Sequence, residues 1–261
     1  VSRFRSKREL VDVENSIKNG LNDILIGTHA LLNKPIYLKN IGLVVVDEEH
    51  RFGVKDKEFV FSLNPAVNFL SLSATPIPRS LQLSLSNVRE LSLINTPPVE
   101  RKPIISFVHF FDLKIISDSI LKEVNRGGQV FFVDNSVENL KKTIVQLKKR
   151  LPFLTFGLIY SKMNKKELLG SMNDFIFGKT QVLLSTSIIE SGIDIGLANT
   201  IIINNAHMFG LSQLYQLRGR VGRSTSQAFA WFLIPQKNQT NDSKKRIKTI
   251  LKNTSLGSGY N

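Results

Sequence analysis

The 261-residue sequence contains no cysteine. This absence excludes disulfide bonds, thiolate chemistry and zinc sites with cysteine ligands, and it is compatible with a reducing compartment. The sequence also has no apolar run that approaches the roughly 18 to 20 residues of a membrane span, and residues 1–5 do not lead into the apolar core of a signal peptide. We therefore expect a cytoplasmic protein. Because the first residue is valine, we also expect a piece of a longer protein.

Acidic residues are the minority among the charged side chains. The sequence has 21 aspartate and glutamate residues against 35 lysine and arginine residues, which gives a formal net charge of +14. Such a surplus favours a polyanionic partner, of which nucleic acid is the commonest. The length is sufficient for one large domain or for two ordinary domains that each have a core.

Short β-branched apolar runs alternate with helical segments along most of the chain. We predict strands at 23–26, 41–46, 67–72, 104–110, 129–133, 155–159, 181–185, 200–203 and 228–234, and helices at 79–85, 113–124, 137–151, 165–175, 211–217 and 243–251. Asn135, with Glu138 three residues later, is the predicted N-cap of the helix at 137–151, whose lysines are expected to face solvent. The alternation predicts an α/β fold in which crossover helices join parallel strands.

A proline-rich segment divides the sequence. Three prolines fall within residues 95–103, which favours an extended, semi-rigid connection. We therefore predict a first α/β domain at 1–95, a linker at 96–103 and a second α/β domain at 104–240. Residues 241–261 are polar and basic, and we expect them to begin a further unit.

Three carboxylates and a histidine follow the apolar run at 44–46, in the order Asp47, Glu48, Glu49 and His50. At the carboxyl end of a buried parallel strand, these side chains would lie at the edge of the sheet where α/β proteins bind ligands. There one carboxylate can hold Mg²⁺ through its waters, and the next can orient an attacking water. Taken alone, the tetrapeptide is more often an acidic turn after a core strand.

Further polar segments follow other predicted strands. Ser73 and Thr75 offer hydroxyls after the strand at 67–72. After the strand at 181–185, Gly192 permits close backbone approach and Asp194 can accept a hydrogen bond from a hydroxyl. Residues 216–223 set arginines between glycines, which suits the neutralisation of charge on a transferred phosphoryl group. Taken alone, this last segment could equally be a basic surface loop or a clamp on a phosphate backbone.

Taken together, these segments resemble motifs of the superfamily 2 helicases and translocases. Residues 27–29, 47–50, 73–75, 185–195 and 216–223 are similar to motifs Ib, II, III, V and VI of that superfamily. Longer stretches at 47–54, 73–79, 188–195 and 209–223 are similar to the bacterial transcription-repair coupling factors, and this resemblance runs from residue 2 to residue 259. The branch-migrating recombination helicases are the second choice. They usually carry glutamine where this chain has Glu49, and they lack the Thr96-Pro97-Pro98 form of the linker.

The resemblance implies two RecA-like domains with mainly parallel sheets that face each other across a cleft, the first without its N-terminal phosphate-binding part. It implies ATP and Mg²⁺ as cofactors and double-stranded DNA as a partner. RNA polymerase and excision-repair proteins would bind through modules that are absent from this chain. The implied function is the motor of an ATP-dependent double-stranded DNA translocase, which removes stalled RNA polymerase at lesions and couples transcription to nucleotide excision repair.

The same resemblance implies roles for individual residues, which fall into four groups. Catalysis would involve Asp47, Glu48, Arg220 and Arg223, with Asp47 as the metal ligand. Nucleotide contacts would come from Asp47, Glu48, His50, Gly192, Asp194, Gln216, Arg220 and Arg223. The residues that couple nucleotide state to domain contacts would be His50, Ser73 and Thr75, and those that contact DNA would be Arg3, Arg5, Thr28 and Thr186.

The sequence departs from the family in one respect that matters for activity. It contains no G-x-x-x-x-G-K-[ST] motif, so the lysine and the backbone N–H groups that cradle the β- and γ-phosphates are missing. We therefore predict that this chain by itself hydrolyses ATP negligibly. We also expect the downstream translocation element of the family to be truncated within 241–261. A gene remnant, a deliberate fragment and one part of a split protein all fit, and a non-catalytic DNA-binding remnant is the alternative outside the enzymes.

Overall fold

The computed structural model describes residues 7–28, 31–32, 41–48, 52–63, 66–72, 92, 94, 102–187, 196–236 and 241–252. By its internal contacts the chain divides into two units, Val1–Glu90 and Leu91–Asn261. Among the helices within these ranges, none has the length and apolar character needed to cross a membrane.

The first unit contains a small parallel sheet with two described helices. Its elements are α1 (Lys7–Lys18), β1 (Leu43–Asp47), α2 (Val54–Leu63) and β2 (Asn68–Leu72). β1 pairs with β2 in parallel, with Asp47 opposite Leu72. The strand predicted at 23–26 is wrong, because the structure leaves these residues outside any ladder with Ile24 and Ile26 exposed. A short apolar run becomes a strand only where a neighbouring strand supplies ladder hydrogen bonds.

The second unit is built on a six-stranded parallel sheet with strand order β3-β8-β7-β4-β6-β5. Its elements are β3 (Ile105–Phe110), α3 (Leu113–Asn125), β4 (Gln129–Val133), α4 (Val137–Arg150), β5 (Phe156–Ile159), α5 (Lys165–Ile176), β6 (Val182–Ser185), β7 (Ala198–Ile203), a 3₁₀ turn (Ala206–Met208), α6 (Leu211–Arg218), β8 (Phe229–Ile234) and α7 (Asn241–Lys252). The predicted α/β class with mainly parallel strands is therefore confirmed.

Helices cover both faces of the second sheet. Residues of α3 and α4 form one core cluster with Val130 and Phe132 of β4, whereas residues of α5, α6 and α7 form the other with Phe131 and Val133. β4 is consequently buried at every position, as its apolar run from Val130 to Val133 requires. The arrangement places the carboxyl ends of β4, β6 and β7 side by side at one edge of the sheet.

A polar side chain caps α4, which starts at this edge. Ser136 caps α4, since its Oγ accepts the N–H of Asn139 at 3.3 Å. The prediction of Asn135 as the N-cap is wrong by one residue, because Ser136 has the extended backbone that a capping residue needs. The lysines of α4 are exposed as predicted.

Candidate functional site

The acidic segment lies at the carboxyl end of β1, as predicted. Val46 is buried, Asp47 is the last residue of the strand and is exposed, and Glu48 follows at φ +55°. The backbone N–H of Glu48 donates to Oδ1 of Asp47 at 2.8 Å. A left-handed backbone at a glutamate costs on the order of 1–3 kcal/mol, and such strain is concentrated at functional sites.

β2 ends at the same edge as β1. Leu72 is the register partner of Asp47, so the two strands end side by side. Ser73, Thr75 and His50 lie outside the described residues. Within the described part of the chain, no three aspartate, glutamate or histidine side chains converge on a possible metal position. The exposed Asp47 carboxylate fits Mg²⁺, which keeps several waters and needs only one or two protein carboxylates.

The arginine-rich segment begins on α6. Gly210 starts this helix, with its N–H donating to Oε1 of Gln213 at 3.0 Å. Leu214 and Leu217 are fully buried, and they fix the helix against the second sheet. Gln216 lies on the same helix and is half-buried. The packing of the helix therefore fixes the position of its C-terminal residues and of the arginines that follow.

The three arginines have different environments. Arg218 is 8% exposed, donates from Nη1 to the carbonyl of Ile250 at 3.1 Å, and has its guanidinium 4.9 Å from the centre of the Tyr215 ring. Burial lowers the pKa of Arg218, and the charge of Tyr215 partly opposes this effect. Arg220 is also 8% exposed, whereas Arg223 is exposed and its Nε donates to the carbonyl of Gly219 at 3.4 Å. The structure thus assigns Arg218 to packing against α7 and leaves Arg223 as the accessible cation.

A glycine makes the turn after α6 possible. Gly222 has φ +73°, and an added Cβ would lie 3.1 Å from both Cβ of Ala228 and Cγ1 of Ile104. Val221 beside it is fully buried. Any side chain at position 222 would therefore meet both a strained backbone and two packed neighbours, so this turn holds Arg220 and Arg223 in one geometry.

The remaining predicted residues are only partly described. Thr28 is exposed in the first unit, with its carbonyl accepting the N–H of Leu31 at 2.9 Å. Thr186 follows β6 and is half-buried, and its carbonyl accepts from Oγ of Ser185 at 2.7 Å. Four predicted residues lie outside the described residues, namely Arg3, Arg5, Gly192 and Asp194.

A Gly-Lys-Thr triplet at 178–180 does not supply the missing phosphate loop. It follows the C-terminus of α5, where Gly178 has φ +75°, Lys179 pairs with Asp174 at 3.6 Å and Thr180 is buried. Phosphate loops precede a helix, because the N-terminus of a helix offers free N–H groups and a positive dipole. The C-terminal end of α5 offers the opposite polarity.

Sequence reasoning missed a buried carboxylate at the edge of the second sheet. Asp134 follows β4 directly, is 1% exposed, and accepts hydrogen bonds from four neighbours: Ser136 N at 2.7 Å, Asn139 Nδ2 at 3.5 Å, Asn204 Nδ2 at 2.6 Å and Asn205 Nδ2 at 3.2 Å. The signal was present in the sequence, because Asp134 directly follows an apolar strand and Asp47 ends one. Its partners Asn204 and Asn205 lie about 70 residues away, which no local pattern reveals.

Comparison with protein families gives two matches in chain order. The family model described as DEAD/DEAH box helicase matches residues 2–83, and the model described as helicase conserved C-terminal domain matches residues 112–225. The first match contains Asp47 and Glu48, and the second contains Arg220 and Arg223. Both carboxylates and both predicted arginines therefore fall within helicase domains.

Curated relatives match the whole chain. The transcription-repair-coupling factor of Escherichia coli (strain K12) is 46% identical over 261 residues, which are 100% of this chain and 23% of that protein. The transcription-repair-coupling factor of Buchnera aphidicola subsp. Baizongia pistaciae (strain Bp) is 44% identical over 100% of this chain and 37% of that protein. The resemblance expected from the motifs is confirmed, and the chain spans only about a quarter to a third of these relatives' length.

Solved structures share the fold. A structure of RecG bound to a three-way DNA junction superposes with a TM-score of 0.73 at 32% identity, over 97% of this chain and 34% of that chain. The Mycobacterium smegmatis helicase Lhr, solved with single-stranded DNA and AMP-PNP, gives a TM-score of 0.69 at 18% identity, over 90% of this chain and 34% of that chain. The expectation of RecA-like domains is thereby confirmed.

Proposed function

The chain belongs to the helicases that carry a DEAD/DEAH box domain followed by a helicase conserved C-terminal domain, and on that premise we propose that it forms part of the motor of an ATP-dependent double-stranded DNA translocase. In this proposal the motor removes stalled RNA polymerase at lesions and couples transcription to nucleotide excision repair in the cytoplasm. The observation that carries the proposal is the match to transcription-repair-coupling factors along 100% of the chain. RNA polymerase and excision-repair proteins would engage segments of the full-length relatives outside this match.

The carboxylates of β1 and the arginines after α6 would perform the chemistry. Asp47 would hold Mg²⁺, and the ion would supply positive charge that neutralises the phosphate groups. Glu48 would orient the attacking water, and Arg220 and Arg223 would neutralise charge on the transferred phosphoryl group. The exposure of the Asp47 carboxylate and of the Arg223 guanidinium supports the roles of these two residues, because each side chain is accessible to a ligand.

Other residues would bind nucleotide and DNA in support of this reaction. Nucleotide contacts are proposed for His50, Gly192, Asp194 and Gln216; coupling of nucleotide state to domain contacts for His50, Ser73 and Thr75; and DNA contacts for Arg3, Arg5, Thr28 and Thr186. These assignments rest on the motifs in the sequence.

DNA binding by the purified chain tests the proposal directly. We expect a duplex oligonucleotide to bind with strong salt dependence, and the combined Arg3→Ala and Arg5→Ala substitutions to reduce the slope of log K against log salt by about one per lost phosphate contact. The matched control is the pair Lys148→Ala and Lys149→Ala on the exposed face of α4, which removes the same charge. If the two pairs of substitutions have equal effects, DNA binding depends on the overall positive charge of the chain and not on specific contacts from Arg3 and Arg5.

Nucleotide dependence separates a motor from a non-catalytic remnant. Because the phosphate loop is absent from the sequence, we expect negligible DNA-stimulated ATP hydrolysis by this chain alone. We expect Mg²⁺ with ATP to change its affinity for duplex DNA, and Glu48→Gln to alter that response whereas Glu58→Gln, an exposed acid on α2, does not. A DNA affinity that is indifferent to ATP, ADP and Mg²⁺ would favour the DNA-binding remnant.

The recombination helicases remain the second candidate within the enzymes, favoured by the similarity to RecG. A chain completed with an upstream phosphate-loop segment distinguishes the two. Displacement of stalled RNA polymerase from duplex DNA is the result expected for a coupling factor. Strand separation on branched DNA without polymerase displacement would instead identify a recombination helicase.

A further inference from the structure

The buried carboxylate of Asp134 joins the carboxyl ends of three neighbouring strands. Its own N–H donates to the carbonyl of Ser185, at the end of β6, at 3.1 Å, and the N–H of Asn204 donates to Val133 at 2.7 Å. The carboxylate then accepts from Asn204 and Asn205 after β7. No lysine or arginine within the described ranges forms an ion pair with this buried anion. Among the described residues, the hydrogen-bond donors to this carboxylate are therefore all neutral groups.

This network lies where the chain reverses its direction across the sheet. The chain leaves β4 towards α4 on one face, and it leaves β7, the neighbour of β4, towards α6 on the opposite face. In open α/β sheets the loops diverge at such a point and form the crevice in which ligands bind. At this point the residues that directly follow β4 and β7 are joined, because Nδ2 of Asn204 donates to Oδ2 of Asp134 at 2.6 Å.

The same network controls the backbone that leads into the arginine segment. Asn205 has φ +50° and ψ +41°, a left-handed conformation that asparagine tolerates better than most residues. From it the 3₁₀ turn begins, with Met208 N donating to the carbonyl of Asn205 at 2.8 Å. Phe209 is then buried, and α6 follows at Leu211. A rotation at Asn205 would therefore be transmitted through a short, packed connection to Arg220.

We propose that Asp134 is a positioning residue, whose carboxylate fixes Asn204 and Asn205 and thereby sets the orientation of α6 and of the arginines that follow it. The proposal deepens the function proposed above and rests on it only in assigning Arg220 and Arg223 to a phosphate. The positioning itself can be tested without any enzymatic activity.

Hydrogen exchange of the full chain provides the test. In Asp134→Asn, we expect the amides of Met208, Leu214 and Arg220 to exchange on the order of ten to a hundred times faster, because hydrogen bonds to a charged acceptor are lost. Amides outside the network, such as those of Leu151 and Leu168, should keep their rates, since they donate to the carbonyls of Leu147 and Asn164 at the ends of α4 and α5. The matched control Asp174→Asn removes the same charge from an exposed position and should change neither group.

Exchanging the carboxylate and the amide between positions 134 and 204 should restore the protection from hydrogen exchange. Asn204→Asp alone sets two buried carboxylates against each other, whereas Asp134→Asn combined with Asn204→Asp restores one donor and one acceptor, and we expect it to recover at least half of the lost protection on a logarithmic scale. If Asp134→Asn fails to fold, Asn205→Gly keeps the left-handed backbone and removes one donor, and it should accelerate exchange only at 206–220. Uniform acceleration across the second unit, no acceleration, or no rescue by the double variant would overturn the proposal.

Discussion

β1 and β4 have nearly the same kind of sequence and very different surroundings. β4 is buried at every position, with strands on both sides and helices on both faces. In β1, Val46 is 3% exposed whereas Leu43 and Val45 are 57% and 52% exposed, and in its partner β2 Leu70 is 49% exposed. An uninterrupted apolar strand is typical of a parallel sheet covered on both faces. The sequence of a strand therefore indicates that its side chains are suited to burial. The elements that pack around the strand determine what fraction of those side chains is buried.

Truncation of the core should affect the second unit most. We expect Phe132→Ala, at a side chain with 0% exposure, to lower the free energy of unfolding of the second unit by about 3–5 kcal/mol, because both transfer energy and packing are lost. Leu70→Ala on the exposed face of β2 should cost the first unit less than about 1 kcal/mol. Urea unfolding followed by fluorescence of Trp231, the sole tryptophan, measures the effect of Phe132→Ala. Hydrogen exchange at 43–47 measures the effect of Leu70→Ala. Equal costs would mean that β1 and β2 are covered in solution.

The arginines should divide into structural and accessible members. Arg218→Ala should lower the stability of the second unit by about 2–3 kcal/mol, because the carbonyl of Ile250 loses a charged donor and the ring of Tyr215 loses its cation. Arg223→Ala should change stability by less than about 0.5 kcal/mol, since the side chain is exposed. Thermal unfolding of the two variants measures the difference. A destabilising Arg223→Ala would contradict the assignment of this residue to ligand contact.

Much of the second unit was predictable because its strands are apolar runs bounded by glycine, asparagine and proline. Each of its six strands begins and ends within about two residues of the predicted bounds. The helix cap at Ser136 was missed by one residue, because Asn135 and Ser136 are both good capping residues and only backbone conformation distinguishes them.

The candidate site was predictable only where it depends on local sequence. Asp47 lies at the strand end that the pattern indicated, and its catalytic role stays a prediction. The different environments of Arg218 and Arg223 depend on α7, which returns some 30 residues later to offer a carbonyl to Arg218. The network of Asp134 depends on a pairing across 70 residues. Long-range contacts of this kind leave no periodic signal in the sequence.

The strained residue of the first unit offers a smaller test. Glu48→Gly should leave the stability of the first unit unchanged or raise it by up to about 1 kcal/mol, because glycine adopts φ +55° without a steric penalty but loses more entropy on folding. Glu48→Ala keeps the penalty and should bring no gain. Hydrogen exchange at 43–47 measures both variants. A large loss of stability in Glu48→Gly would show that the glutamate side chain holds the turn, and it would weaken its assignment to catalysis.

The pH response should be a small effect confined to the second unit. Burial lowers the pKa of His207 below its ordinary value of 6.5, and the charge of Arg246 adds to this effect. As the pH falls through 6.5, His207 therefore becomes protonated in the unfolded chain before it does so in the folded chain. The free energy of unfolding consequently decreases on acidification. We expect His207→Gln to lose less stability than the unsubstituted chain between pH 7.5 and 5.5. The control variant is His109→Gln, at an exposed position on β3, and urea unfolding followed by Trp231 fluorescence compares the three proteins.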